Sequence, residues 1–393
     1  MRHMSLRLAL WACAILGAAS VANAFETQAE AAYVFDQTTG TVLLSKNADA
    51  PLPPAAMSKL MTLYMAFEAV AEGRLDINET LQVSAEAAAY GGSSMFLDTT
   101  DRVRVEDLLR GVIVLSGNDA STVLAEALSP DGTEAGFSRL MTQRAVQMGM
   151  ENSTFTNANG WPEAGHRMSM EDLGILANRL ILDFPTFYPL FAETEFEFDG
   201  RVPSNSRNRN PILSLGIGAD GRMTGHTQEA GYGLVGSAKQ DDRRIIFVIT
   251  GLQSTAARAQ ESENIVNWAF RQFAEKDVVS SGTRIADAEV WMGESPFVGL
   301  TVAEDVSLLV PVLNEGEISA EVVYDGPIEA PIVAGDQLGE LVIQLEGLPE
   351  KRLPLVAQAD VPRGGFTTRL RTAALVLWEK FGPAVAQDAA EDA

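Results

Sequence analysis

Apolar and polar positions between residues 25 and 275 follow both helical and strand spacing, which predicts a domain that mixes the two. Residues 31–35 and 42–44 are β-rich and flank a turn sequence that ends in glycine, so they predict a hairpin. Over residues 57–70 the apolar side chains recur at helical spacing and predict a mostly buried helix. Further helices are predicted at 108–115, 120–128 and 257–273, and further strands at 232–237 and 244–251.

The pattern changes after about residue 276. Short β-rich runs are separated by Gly, Pro, Asp and Asn, which predicts a small all-β sandwich. These runs are 288–292, 299–302, 306–312, 318–324, 339–345 and 353–357.

Both ends of the chain have a distinct composition. Residues 1–24 carry two arginines, a short apolar run and a final Ala-Asn-Ala, as in a cleaved secretory signal peptide. Residues 362–393 begin with an amphipathic helix that has basic residues beside its apolar face, which favours an interfacial membrane anchor. The alternative is a helix packed on its own β domain. The apolar face comprises Phe366, Leu370, Ala374, Leu377, Trp378 and Phe381.

Charge and cysteine content exclude several classes of protein. The formal net charge is -24, and removal of the two signal-peptide arginines makes it -26, so nucleic-acid binding is not expected. The single cysteine, Cys13, lies inside the predicted signal, which leaves no disulfide or cysteine-based metal site in the mature chain. The three histidines have no ligand spacing, so we predict no metal and no cofactor.

Three stretches carry the candidate chemistry. They are PPAAMSKLMT at 53–62, LSGNDA at 115–120 and GADGRMTGHT at 218–227. In order and surroundings they resemble the S-x-x-K, S-x-N and K-T-G motifs of the serine D-alanyl-D-alanine carboxypeptidases, the low-molecular-weight penicillin-binding proteins. FTNANGWP, HRMSMEDLGILA and NRNPIL also resemble family features, so the resemblance covers essentially the whole mature chain.

The resemblance implies a fold and a domain order. The expected fold class is an α/β (α+β) β-lactamase/DD-peptidase-like domain, a small all-β sandwich and a C-terminal amphipathic helix. The expected segments are a signal peptide (1–24), the peptidase-like domain (25–275), the β domain (276–361) and the anchor with its tail (362–393).

The family chemistry needs a serine hydroxyl to attack the peptide carbonyl and a lysine at i+3 to take its proton. Counting back from Lys59 puts that serine at position 56, where this chain has Ala56. The lysine of the third motif is likewise replaced, by Met223. Ser58 lies about 200° further round a helix than position 56 and cannot take over the role. Arg222 is expected to face away from the cleft, because adjacent strand residues point to opposite faces, unless a bulge re-aims it.

The other motif residues are retained. Lys59, Ser116 and Asn118 are the candidate catalytic residues that remain. By resemblance, Thr224 and Gly225 dock the substrate on their strand, and His226 contributes its backbone N–H to the oxyanion hole. Arg258 is a candidate partner for the substrate carboxylate, with a surface salt bridge as the alternative.

Two functions follow from this pattern. The first is a non-catalytic family member that binds peptidoglycan stem peptides, binds β-lactams only non-covalently, and lies at the outer face of the inner membrane after export. The second is an active serine D-Ala-D-Ala carboxypeptidase that uses an unconventional nucleophile. A β-lactamase lacks the same serine and is disfavoured by the appended β domain. Alanine has no nucleophilic atom, so we favour the first function.

Overall fold

The computed structural model describes residues 6–8, 25–312, 319–345, 348–366 and 370. They divide into two compact units, one within Asn23–Ala274 and the other formed by residues within Met1–Ala22 and Glu275–Ala393. The helices are α1 (Lys59–Ala71), α2 (Ala85–Ala88), α3 (Val105–Leu115), α4 (Asn118–Leu128), α5 (Glu134–Gln147), α6 (Met170–Asp183) and α7 (Thr255–Gln272). Short 3-10 helices span Ala55–Ser58, Tyr188–Ala192 and Pro211–Ser214.

The strands alternate with helices in the first unit and follow one another in the second. They are β1 (Leu6–Leu8), β2 (Ala31–Asp36), β3 (Thr41–Lys46), β4 (Thr80–Gln82), β5 (Arg102–Arg104), β6 (Ala219–Thr227), β7 (Gly231–Gln240), β8 (Arg243–Leu252), β9 (Phe273–Val279), β10 (Ala286–Trp291), β11 (Phe297–Val302), β12 (Val306–Pro311), β13 (Ser319–Tyr324), β14 (Ile328–Glu329), β15 (Gln337–Gln344) and β16 (Lys351–Ala357).

The first unit is built on an antiparallel sheet with strand order β3-β2-β8-β7-β6. Helix α1 is surrounded by other elements, and most of its residues are buried, including both its polar Lys59 and its aromatic Phe67. Apolar side chains from α1, α3, α4, α5 and α6 form one core with residues from the sheet. The predicted mixed domain, the buried helix and the hairpin β2–β3 are confirmed.

Between residues 275 and 361, the described regular elements of the second unit are all strands, as predicted. One sheet has the order β1-β13-β15-β16-β11-β10-β14, and a separate ribbon pairs β12 with β9. Strand β1 lies within the predicted signal peptide and pairs with β13. The other signal residues lie outside the described part of the chain, so cleavage of this segment stays a prediction.

The C-terminal prediction is only partly within the described residues. Phe366 and Leu370 are 79% and 62% exposed. Leu377, Trp378 and Phe381 lie outside the described residues. Within the residues that are described, no helix has the length and apolar character to cross a membrane.

Arg222 in β6 is fully buried, and a bulge distorts the strand just before it. The register shifts between Ala219 and Gly221, and Arg222 has φ 125°, a value that L-residues rarely adopt. Its guanidinium carbon lies 4.9 Å from the ring centre of Tyr188 and 5.7 Å from that of Phe191. None of its three nitrogens has a hydrogen-bond partner among the described residues. Burial accordingly lowers the pKa of Arg222.

We expect Arg222→Met to raise the free energy of unfolding by about 1–2 kcal/mol, because a buried charge without hydrogen bonds costs more than an apolar side chain of similar volume. Urea denaturation measures the change. The matched control is Arg244→Met, which removes an ion pair to Asp220 at 2.7 Å and should destabilise the protein. A loss of stability in Arg222→Met as large as in the control would contradict the expectation.

Candidate active site

The retained lysine lies at the start of α1, one turn after Ala56. The chain enters this helix through the 3-10 helix Ala55–Ser58, so positions 56 and 59 lie on the same side. Lys59 is 1% exposed, and its ammonium donates to Asn118 Oδ1 at 2.7 Å and to the Asn159 carbonyl at 2.5 Å. Two of the three predicted catalytic residues, Lys59 and Asn118, are therefore in direct contact.

The charge state of Lys59 is set by its surroundings. Burial, together with the positive charge of Arg209, lowers the pKa of Lys59 from 10.5 to about 7. The carboxylates of Asp119 and Glu134 oppose this change. A lysine with this pKa is poised to exchange a proton near neutral pH, which is what a general base requires.

Ser116 and Asn118 lie at the junction of α3 and α4. Ser116 ends α3 in the left-handed conformation, with φ 57°, and is 5% exposed, while Asn118 is the first residue of α4. The Asn118 side chain also donates to the Gly91 carbonyl at 2.8 Å, and its backbone N–H donates to the Ser93 carbonyl at 2.8 Å. These bonds fix Asn118 as an acceptor for Lys59.

Two buried carboxylates, Asp119 and Glu134, fix the chain segments that surround Lys59. Asp119 accepts hydrogen bonds from the backbone N–H groups of Met95 and Leu97 at 3.0 and 3.1 Å, which ties the preceding loop to α4. Glu134 accepts from the Ala158 backbone N–H at 2.9 Å and from the Asn159 side chain at 3.2 Å. Glu134 thus positions the segment that contains Asn159, whose backbone carbonyl accepts a hydrogen bond from the Lys59 ammonium.

Strand β6 forms the opposite wall and is the edge strand of its sheet. Gly225 lets it approach the 3-10 helix, because a Cβ at this position would lie 3.1 Å from both the Ala55 Cβ and the Pro54 carbonyl oxygen. Thr224 is 8% exposed. An edge strand offers backbone N–H and C=O groups to an extended peptide, so Thr224 and Gly225 lie where a substrate strand could pair.

A second glycine, Gly160, packs against the same 3-10 helix. Gly160 has φ +79°, and a Cβ there would lie 1.9 Å from the Ala55 carbonyl oxygen. Ala55 itself has φ 50°, so the backbone just before Ala56 is in a conformation that costs about 1–3 kcal/mol. Tight packing at both glycines holds this strained segment in place.

The two substituted positions carry no reactive group. Ala56 offers only a methyl group, and Met223 is 2% exposed, paired with Val235 across the sheet and part of the apolar core. Ser58 is fully buried and donates its hydroxyl to the Ala55 carbonyl at 3.1 Å, so it does not replace the missing hydroxyl.

The sequence places Arg222 away from the cleft unless a bulge re-aims it. The bulge that would re-aim it is present, but the guanidinium ends against Tyr188 and Phe191, and it makes no hydrogen bond to Lys59 or Asn118. Arg222 therefore does not supply the positive charge that Met223 lacks.

His226 and Arg258 lie together near the end of β6. The exposed His226 ring stacks on Tyr232 with 3.8 Å between ring centres, and the Arg258 guanidinium carbon lies 5.7 Å from the same tyrosine ring. Arg258 is 7% exposed and donates to the Gly233 carbonyl at 3.4 Å. No ion pair involves it among the described residues, which speaks against the surface salt bridge.

Sequence reasoning missed three residues of the site. Asn159 acts through its backbone carbonyl, which no side-chain pattern reveals. Glu134 is a buried carboxylate that contacts the segment containing Asn159. Arg209 reaches the cleft from a loop, where it contacts the Ser93 hydroxyl and acts on Lys59. Asn159 lies in FTNANGWP and Arg209 lies in NRNPIL. Both stretches resemble the family, but the resemblance assigned no function to either residue.

Comparison with known proteins agrees with the family resemblance of the three motifs. Residues 18–254 match the family model described as D-alanyl-D-alanine carboxypeptidase, and residues 273–363 match that of the penicillin-binding protein 5 C-terminal domain. The chain is similar to the D-alanyl-D-alanine carboxypeptidase DacF of Bacillus subtilis, with 31% identity over 90% of this chain and 91% of the relative. It is also similar to DacC of Escherichia coli, with 33% identity over 92% of both.

Solved structures show the same likeness. Penicillin-binding protein 5 from Haemophilus influenzae superposes with a TM-score of 0.74 and 30% identity, over 86% of this chain and 98% of that one. The chain matches these proteins in sequence and in fold over most of the length of both. It therefore belongs to the D-alanyl-D-alanine carboxypeptidase family.

Proposed function

We propose that this chain is a non-hydrolysing member of its family that binds peptidoglycan stem peptides and binds β-lactams only non-covalently. The main support for the proposal is Ala56, which lies one turn before Lys59, while Lys59 itself is held by Asn118 and Asn159. An acyl-enzyme needs an oxygen or sulfur nucleophile at that place, and a methyl group supplies neither.

Two features of the cleft support peptide binding: an edge strand and a buried arginine. Thr224 and Gly225 on the edge strand provide backbone pairing for an extended peptide. The buried Arg258, which has no acidic partner among the described residues, is the candidate receptor for a terminal carboxylate. The alternative, an active carboxypeptidase with an unconventional nucleophile, has no support from Ser58, because its hydroxyl is buried and already bonded.

Release of D-alanine from a stem pentapeptide tests the proposal, together with calorimetric binding of the same peptide. We expect no release above the uncatalysed rate and measurable binding. Arg258→Gln should weaken pentapeptide binding about tenfold, since a charge-assisted pair to the carboxylate is lost. The matched control, Arg271→Gln at the other end of α7, should bind as the parent does. Catalytic release of D-alanine would overturn the proposal.

We further propose that the mature protein is exported and lies peripherally at the outer face of the inner membrane. The support is the sequence of residues 1–24 and the apolar and basic composition of the C-terminal segment. Deletion of residues 366–393 should release the protein from vesicles that contain anionic lipid in a sedimentation assay. Undiminished sedimentation of the truncated protein would reject the anchor.

A further inference from the structure

The cleft gathers positive charge in a strongly acidic chain. Arg209 contacts the Ser93 hydroxyl, the Ser93 carbonyl accepts from the Asn118 backbone N–H, and the Asn118 side chain accepts from Lys59. The positive charge of Arg209 also lowers the pKa of Lys59. The acidic groups nearest Lys59 are engaged elsewhere: Asp119 by backbone N–H groups, and Glu134 by Ala158 and Asn159. Arg209 forms no ion pair among the described residues, and its described partner is the Ser93 hydroxyl. The cleft therefore offers two cations to an anionic ligand.

Ala56 is partly exposed and lies one turn before one of those cations, Lys59. An ammonium has three N–H donors, and Lys59 uses two of them on Asn118 and Asn159. In the family pattern the hydroxyl at position 56 would face this lysine from one turn away. With a methyl group there, an oxygen of a bound ligand can take the place of that hydroxyl.

We infer that the cleft prefers a stem tetrapeptide, whose free C-terminal carboxylate lies against Ala56 between Lys59 and Arg209, over a stem pentapeptide. This inference rests on the stem-peptide binding proposed above. In the pentapeptide the same place would be taken by an uncharged amide carbonyl, while its terminal carboxylate would reach Arg258. Charge-assisted hydrogen bonds to a carboxylate are about twice as strong as neutral ones. The protein thus binds the product of carboxypeptidase action rather than its substrate.

Calorimetry with a stem tetrapeptide and a stem pentapeptide at pH 6.5 tests this preference. The tetrapeptide should bind at least about tenfold more tightly. Arg209→Gln should weaken tetrapeptide binding about tenfold and pentapeptide binding far less. The matched control is Arg207→Gln, whose side chain is 86% exposed on the same loop, and it should leave both affinities unchanged.

The pH dependence gives a second readout that does not depend on a variant. Lys59 must be protonated to hold the carboxylate, and its pKa is about 7, so tetrapeptide affinity should fall at least about tenfold from pH 6.5 to 8.5. The charged groups that act on Lys59 are Arg209, Asp119 and Glu134. His166, which Lys59 also influences, stays neutral in this range because burial lowers its pKa to about 4. Pentapeptide affinity should change little.

The outcomes separate the two proposals. If the pentapeptide binds as tightly as the tetrapeptide, the preference is refuted while stem-peptide binding stands. Equal loss of both affinities in Arg209→Gln also refutes it. If neither peptide binds, the proposed function fails and the preference falls with it.

Discussion

Ala56→Ser together with Met223→Lys is expected to convert the chain into an acylating enzyme, with a rate of D-alanine release about 10⁶-fold above that of the parent. Removal of the nucleophile alone costs a serine hydrolase about this factor in kcat, and restoring it in an assembled site should recover a comparable one. The base is already in place, since Lys59 is buried one turn after position 56 and has a pKa of about 7. The measurement is single-turnover acylation by a labelled penicillin, followed by steady-state release of D-alanine.

The single variants divide the effect between the two positions. Ala56→Ser alone should form the acyl-enzyme, and the added Met223→Lys should improve docking by about 1–3 kcal/mol. Because Met223 is buried in the core, Met223→Lys should lower stability in both the double and the single variant, and the single variant should gain no activity. The control adds Lys59→Met to Ala56→Ser and removes the base. Acylation in that control as fast as in Ala56→Ser would show that Lys59 is not the base.

The stability of the parent should rise with pH relative to a Lys59→Met variant, by about 2 kcal/mol between pH 7 and pH 9. The lysine has a pKa near 10.5 when unfolded and about 7 when folded. Between those values the unfolded state binds more protons, so the free energy of unfolding increases with pH. The cost of burying Lys59 is therefore greatest below pH 7 and disappears toward pH 10.5.

Urea denaturation of the parent and the variant at several pH values measures this difference, in which all other titrating groups cancel. Lys239→Met removes an exposed lysine from β7 and serves as the control for loss of a lysine charge in general. Parallel pH profiles for the parent and Lys59→Met would contradict the perturbed pKa of Lys59.

The sequence predicted those parts of the fold in which a local pattern determines the outcome. The buried helix at 57–70 and the hairpin at 31–44 appear as α1 and β2–β3, because their apolar spacing and turn residues act locally. Helices α5 and α6 were missed, although each has a capping signal. Thr133 accepts from the Gly136 backbone N–H, and Ser169 from that of Asp172.

In the candidate site, too, the sequence located the residues that belong to a motif and missed those that distant loops bring in. The motif resemblance located Lys59 and Asn118, which the structure brings into contact. It did not locate Arg209 or the Asn159 carbonyl, because their positions depend on how distant loops pack around α1. The surroundings of Arg222 were also beyond sequence reasoning, because its ring contacts, Tyr188 and Phe191, lie on a 3-10 helix that is distant in sequence.

Whether the native chain can form an acyl-enzyme is measured by its intact mass after prolonged incubation with a labelled penicillin. We expect an unmodified mass, because position 56 carries a methyl group and the neighbouring Ser58 hydroxyl is buried. Ala56→Ser, treated in parallel, should gain the mass of one penicillin and shows that the cleft is intact. A stable covalent adduct on the native chain would refute the loss of the nucleophile and identify an acylating enzyme.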